Sequence, residues 1–151
     1  LKTNISLPES YKTFFPEEHI AIFKKEDEII NEYIAKVEEN LVILPFLYEG
    51  KEYNAGAIIS NQYRSVVGNR LAKKYANEVD FMLLIDFDRR QFSFRGIRED
   101  LHLGKLAKAI HPLAGGQAKA CGMPIDELTI DIVKQYVELF ELQKLNTKKV
   151  K

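Results

Sequence analysis

The chain has a single cysteine, Cys121, in 151 residues. One thiol excludes an internal disulfide framework and fits a reducing, cytoplasmic setting. An excess of one charge is missing too. Lys+Arg and Asp+Glu both number 22, so no overall field draws the chain to nucleic acid or to a membrane. Any anion site must therefore be local. No stretch approaches the roughly 20 apolar residues that span a bilayer, and nothing at the start reads as a signal peptide. We expect no membrane partner. The three histidines, His19, His102 and His111, share no metal-ligand spacing, and there is no cysteine pair to support zinc. Internal repeats and low-complexity segments are also lacking. The chain opens on Leu1 rather than Met, and we expect a piece of something longer.

The residues present describe a folded chain, 46% hydrophobic and 11% aromatic. Its length suits one domain with an appendage. Residues 1–15 show no periodicity and read as a strap. From Pro16 the pattern turns helical, and Ile20, Phe23, Ile30, Ile34, Val37 and Leu41 form one apolar stripe. A helix packed on its own domain and a linker helix between two domains fit this stripe equally. As a linker, residues 1–41 would leave the stripe partly exposed and favour a homodimer.

The body, 42–145, reads as α/β with a mixed sheet flanked by helices. In "LVILPFLYEGKEYNAGAIIS", two strands flank the turn Glu49-Gly50-Lys51. "SVVGNRLAKKYA" predicts a helix with Val66, Leu71, Ala72 and Tyr75 on one face and Ser65 as its cap. "VDFMLLIDF" reads as a central strand, and "QFSFRG" alternates Phe92 and Phe94 against Gln91, Ser93 and Arg95. Arg95 should thus project away from the phenylalanines. "LGKLAKAIH" is a short helix, 125–145 an amphipathic one, and 146–151 a frayed tail.

Few residues suggest chemistry. Asp86 and Asp88 have a spacing that can serve a divalent cation, but Arg89 and Arg90 follow at once and favour a solvated turn. Cys121, among small neighbours, reads as a packing residue. The chain shows no self-sufficient catalytic set. "LAGGQAKACG" stands out. Gly115-Gly116 lets the backbone turn and leaves amides uncovered. If "QAKACG" starts a helix, those amides form an anion pocket that Gln117 and Lys119 would complete. A tight turn is the commoner use of such a pair.

The order of elements from Ala55 to Gly122 resembles the DHH-associated C-terminal domain of the DHH phosphoesterase superfamily, which includes RecJ-like exonucleases and oligoribonucleases. That domain carries a pattern like G-G-G-H-x-x-A-A-G after a strand often ending S-F-R-S. Here "AGGQAKACG" follows "FSFRG", with "DLHLGKLAKAIHP" between them as the family's short helix. The sequence departs from the pattern at Ala114, Gln117 and Gly96. Gln117 keeps a donor but cannot become cationic, which weakens phosphate contact at that position. The resemblance implies a substrate-binding half acting on short single-stranded nucleic acid or a nucleotide. Arg95, Gly115, Gly116, Gln117 and Lys119 would grip the phosphate. No catalytic residue is expected in this chain, nor any cofactor. Two divalent metals, manganese being typical, would sit in a missing N-terminal Asp-His-His domain of the same protein. Two other readings stay open. One is an RNA-binding glycine-rich module like that closing alanyl-tRNA synthetases, and the other a scaffold that has lost its ligand.

Overall fold

The computed structural model describes residues 17–150, with side chains over 24–146. The strap and the side chains of Ile20 and Phe23 lie outside the described residues. Helix α1 (Glu17–Glu38) leads into hairpin strands β1 (Val42–Tyr48) and β2 (Lys51–Ile59). Then follow α2 (Arg64–Lys74), β3 (Phe81–Asp86), β4 (Gln91–Arg95) and α3 (Leu103–Ile110). The two-residue strand β5 (Gly115–Gly116), β6 (Ala120–Pro124) and α4 (Ile130–Val150) complete the chain.

The six strands form one mixed sheet in the order β1-β2-β3-β4-β6-β5. Only β2 and β3 pair in parallel, with α2 as their crossover; the other neighbours are antiparallel. The fold is α/β, as the alternation of elements predicts. β3 is buried at every residue because both faces of the sheet are covered. On one face, Leu83, Ile85, Phe92 and Phe94 pack with Leu103 and Leu106 of α3 and with Val133 and Tyr136 of α4. On the other, Ile58, Met82 and Leu84 meet Ile34 and Val37 of α1 and Val67 and Leu71 of α2.

The C-terminal half of α1 is therefore docked on this chain's own sheet. Ile34 is buried and Ile30 half-buried, while Ile29, off the stripe, is exposed. Ion pairs Asp27–Arg70 (3.1 Å) and Glu38–Lys74 (2.6 Å) tie α1 to α2. Asp27, which interrupts the apolar stripe, is thus a polar anchor.

Three local readings change. Helix α2 begins at Arg64, and its N-cap is Tyr63 in left-handed conformation (φ 51°) with no side-chain cap, so Ser65 lies inside the helix. Its inward residue is accordingly Val67 rather than Val66. Helix α4 begins five residues later than its apolar pattern, at Ile130. The Asp126 amide donates to Thr129 Oγ1 (2.9 Å) and the Leu128 amide to Asp126 Oδ1 (2.9 Å), local bonds that hold 126–129 as a turn. The helix then runs to Val150, through most of the expected tail. Finally, "QAKACG" does not start a helix. Gly115–Gly116 pairs with β6, and the Gln117 amide closes the turn on the Ala120 carbonyl (2.7 Å). The helix end at this spot belongs to α3, whose Leu103 and Gly104 amides donate to the carbonyls of Ala118 and Gln117 (2.8 and 3.1 Å). Backbone oxygens already occupy its positive end.

Candidate anion-binding site

Strand β4 displays its side chains as the alternation predicts. Phe92 and Phe94 enter the α3/α4 core, while Gln91, Ser93 and Arg95 face α2. Ser93 pairs across β6 with Gly122, Arg95 with Ala120, and Gly122 in turn with Gly115 of β5. Residues directly opposite share a face of the sheet. Beyond β4 this face therefore carries Pro124 opposite Gln91, and nothing larger than a methyl group at Ala120, Gly122 and Gly115.

Two arginines flank β4 on this side of the sheet. Arg95 is half-buried; its Nη1 donates to its neighbour's carbonyl, Phe94 O (2.8 Å), and its stem lies along α2 at Gly68. A Cβ at Gly68 would sit 2.4 Å from Arg95 Cγ, so the glycine makes room for the stem. Arg64, in the first turn of α2, reaches Gln91 Oε1 (3.4 Å) and Ser93 Oγ (3.5 Å). Burial, and then the Arg64 guanidinium, push Arg95 below the usual arginine value. Arginine nevertheless stays charged. Two guanidiniums on a partly dry surface are thus near enough for one charge to disfavour the other, a repulsion that an anion relieves.

The pairing of the arginines sharpens this. Of the chain's six, Arg70, Arg89 and Arg98 bond aspartates. Among the described residues Arg64, Arg90 and Arg95 form no ion pair, although the charge of Arg64 is felt by the buried Asp86 carboxylate, and all three surround β4.

The glycine pair divides into two roles. Gly116 has φ +140°, and a Cβ there would lie 2.4 Å from Cys121 Cα, so only glycine fits. Gly115 meets nothing and opens on a groove of about 440 Å³. Arg89, Arg90, Gln91, Leu113 and Gly122 also line this groove. Of the other expected contacts, Gln117 is exposed at the hairpin tip. Lys119 is held by Glu99 (2.5 Å). The structure brings Arg95 and Gly115 onto one face, while the Lys119 ammonium is engaged elsewhere. Arg64, Arg90 and Gln91 were not legible as site residues. Alternation put Gln91 and Arg95 on one face, but only the crossover brings Arg64 over them.

The hairpin is braced from behind by His111. Its Nδ1 accepts the Leu113 amide (2.9 Å), so Nε2 carries the proton and donates to Asp126 (2.7 Å). This bond holds the Asp126 carboxyl below the usual carboxylate range. Its contribution to stability is complete above the unfolded value, about 3.9, and fades as pH falls through the lower folded value. Asp126→Asn should therefore be less stable than wild type in urea unfolding at neutral pH, and the gap should close in acid. A gap that persists at pH near 2 would rule this out.

The remaining chemistry-bearing residues are structural. Asp86 is buried, not solvated as its turn suggested. Burial raises its pKa, but hydrogen bonds from the Arg89 side chain (2.8 Å) and amide (3.0 Å) outweigh that and leave it lowered. Asp88 accepts from Asn61 Nδ2 (2.7 Å). Burial pushes the Cys121 thiol up to about 12, in keeping with a packing role. Among the described residues no three His, Cys, Asp or Glu side chains gather to hold a metal ion. No described helix is long and apolar enough to cross a membrane.

No family model matches the chain, and no curated protein matches it. Among solved structures it is similar to an uncharacterized protein from Helicobacter pylori G27, at 22% identity and a TM-score of 0.46. The match covers 64% of this chain and 28% of that one.

Proposed function

We propose that this chain is the substrate-binding part of a DHH-type phosphoesterase acting on short, single-stranded nucleic acid. The observation that carries the reading is the pair Arg64–Arg95, neither of them in an ion pair, on the sheet face that also holds the glycine hairpin. A phosphate is the anion that suits it. Two guanidinium forks present several donors at once, and the glycine and alanine positions let a sugar-phosphate backbone lie against the strands.

In this reading the chain positions and does not cleave. Arg95 and Arg64 hold the phosphate, and Gly115 leaves room beside it. By the family resemblance the divalent metals, manganese being typical, would belong to a catalytic domain outside this chain. The pure chain should bind a 5′-phosphorylated dinucleotide or trinucleotide, with affinity falling as salt rises. It should release no mononucleotide with manganese or magnesium. Turnover by the pure chain, or absence of binding at low salt, would sink the proposal.

A further inference from the structure

We infer that the groove between the β3–β4 turn and the glycine hairpin receives a nucleobase, and that Gln91 selects bases with a carbonyl at the O4 or O6 position over those with an amino group there. This rests on the reading of the neighbouring arginines as a phosphate site, and goes beyond it by naming what lies next to the phosphate.

The orientation of Gln91 follows from its partner. Arginine has only donors, so the atom facing Arg64 Nη1 at 3.4 Å must be the amide oxygen. The amide nitrogen is turned the other way, and among the described residues it has no acceptor. It lies over β6 at Gly122, where a Cβ would come within 3.0 Å of it. Glycine at that position keeps the donor uncovered. Gly122 and Gly115 are paired, so the floor has no Cβ at that rung, and Pro124, directly opposite Gln91, borders it. A flat ring can lie there.

The walls fit the same occupant. Leu113, three-quarters exposed at 75%, offers an apolar side. Opposite it stand Arg89 and Arg90, and no acidic residue lines the groove. At about 440 Å³ the space is of the size that small-molecule ligands fill. The polar side-chain groups left for an occupant are donors, the Arg90 guanidinium and the Gln91 Nε2, while Arg89 is engaged by Asp86 and the Asn61 carbonyl. A carbonyl at O4 of uracil or thymine, or O6 of guanine, can accept from these. The amino group of cytosine or adenine would face a donor with a donor.

Uracil and cytosine differ at C4 and the adjoining N3, where uracil carries O4 and N3–H and cytosine an amino group and a bare ring nitrogen, so the two phosphorylated dinucleotides pUpU and pCpC test the recognition of this edge. Titration calorimetry of the full chain should give about three- to tenfold tighter binding of pUpU, the scale of one hydrogen bond. Gln91→Leu should bring the two affinities together. Gln91→Glu, whose carboxylate pairs with Arg64 and offers an acceptor, should reverse the order. Equal affinities in wild type, or a preference that survives in a folded Gln91→Leu variant, would overturn the inference while leaving the phosphate site standing. If wild type binds neither dinucleotide, the phosphate reading fails and this one with it.

Discussion

Replacing Arg95 with methionine is expected to weaken binding of a phosphorylated dinucleotide by about 1.5–3 kcal/mol, the range for a hydrogen bond to a charged group. That corresponds to roughly a 10- to 150-fold rise in Kd. Methionine is chosen because it keeps an unbranched stem in the slot beside Gly68, where a Cβ would meet Arg95 Cγ at 2.4 Å. Stability should change little, and in the direction of gain. The substitution removes a guanidinium whose charge burial and Arg64 already disfavour. The slope of affinity against salt should fall by about one ion for the lost phosphate contact. A variant that binds as wild type does, with the same salt slope, would remove Arg95 from the site. A variant that loses binding only by unfolding would show it in the thermal transition.

The second large effect concerns stability. Gly116→Ala should cost about 3 kcal/mol or more, because it combines a backbone conformation nearly closed to other residues with a clash. Strain of the first kind is worth about 1–3 kcal/mol. The added Cβ would meet Cys121 Cα at 2.4 Å and the Ala120 carbonyl at 2.7 Å, so backbone and not a mobile side chain has to yield. Both neighbours belong to β6, which carries the site face, so binding should suffer as well. The adjacent glycine is the control. Gly115 has no positive φ and open space around its Cβ position. Gly115→Ala should lie within about 0.5 kcal/mol of wild type, as surface substitutions do. Urea unfolding of the two variants decides it. Equal effects at the two positions would mean that the hairpin geometry is misjudged.

The sequence by itself determined the elements whose cause is local or periodic. The hairpin around Glu49-Gly50 needs only turn residues between two apolar runs, and both residues do take positive φ, 50° and 75°. The outward direction of Arg95 follows from alternation with Phe92 and Phe94, because the strand period is two and the core takes one face. Burial of β3 on both sides follows from its unbroken apolar run.

Where local signals compete, the sequence misled. "QAKACG" has small residues that suit a helix as well as a strand, and a partner strand decided between them: β6 completes the ladder of β4, which a helix would leave unpaired. Helix α4 starts late because Asp126 and Thr129 bond their own backbone before the helix can. Asp86 looked solvated because its neighbours in sequence are charged, yet it ends a central strand, and Arg89 folds back over it.

The site itself was only partly legible. Arg95 and the glycines announce themselves by type and spacing, but Arg64 stands 31 residues away from Arg95 in a helix with no motif of its own. It reaches β4 because the parallel pairing of β2 with β3 requires a crossover, and the crossover helix must lie across the sheet. Lys119 carries charge in the right stretch of sequence, yet Glu99 claims it. Which cations are paired and which are left for a ligand depends on distances between segments far apart in the chain. Periodicity carries no such information, and the tertiary structure alone decided it.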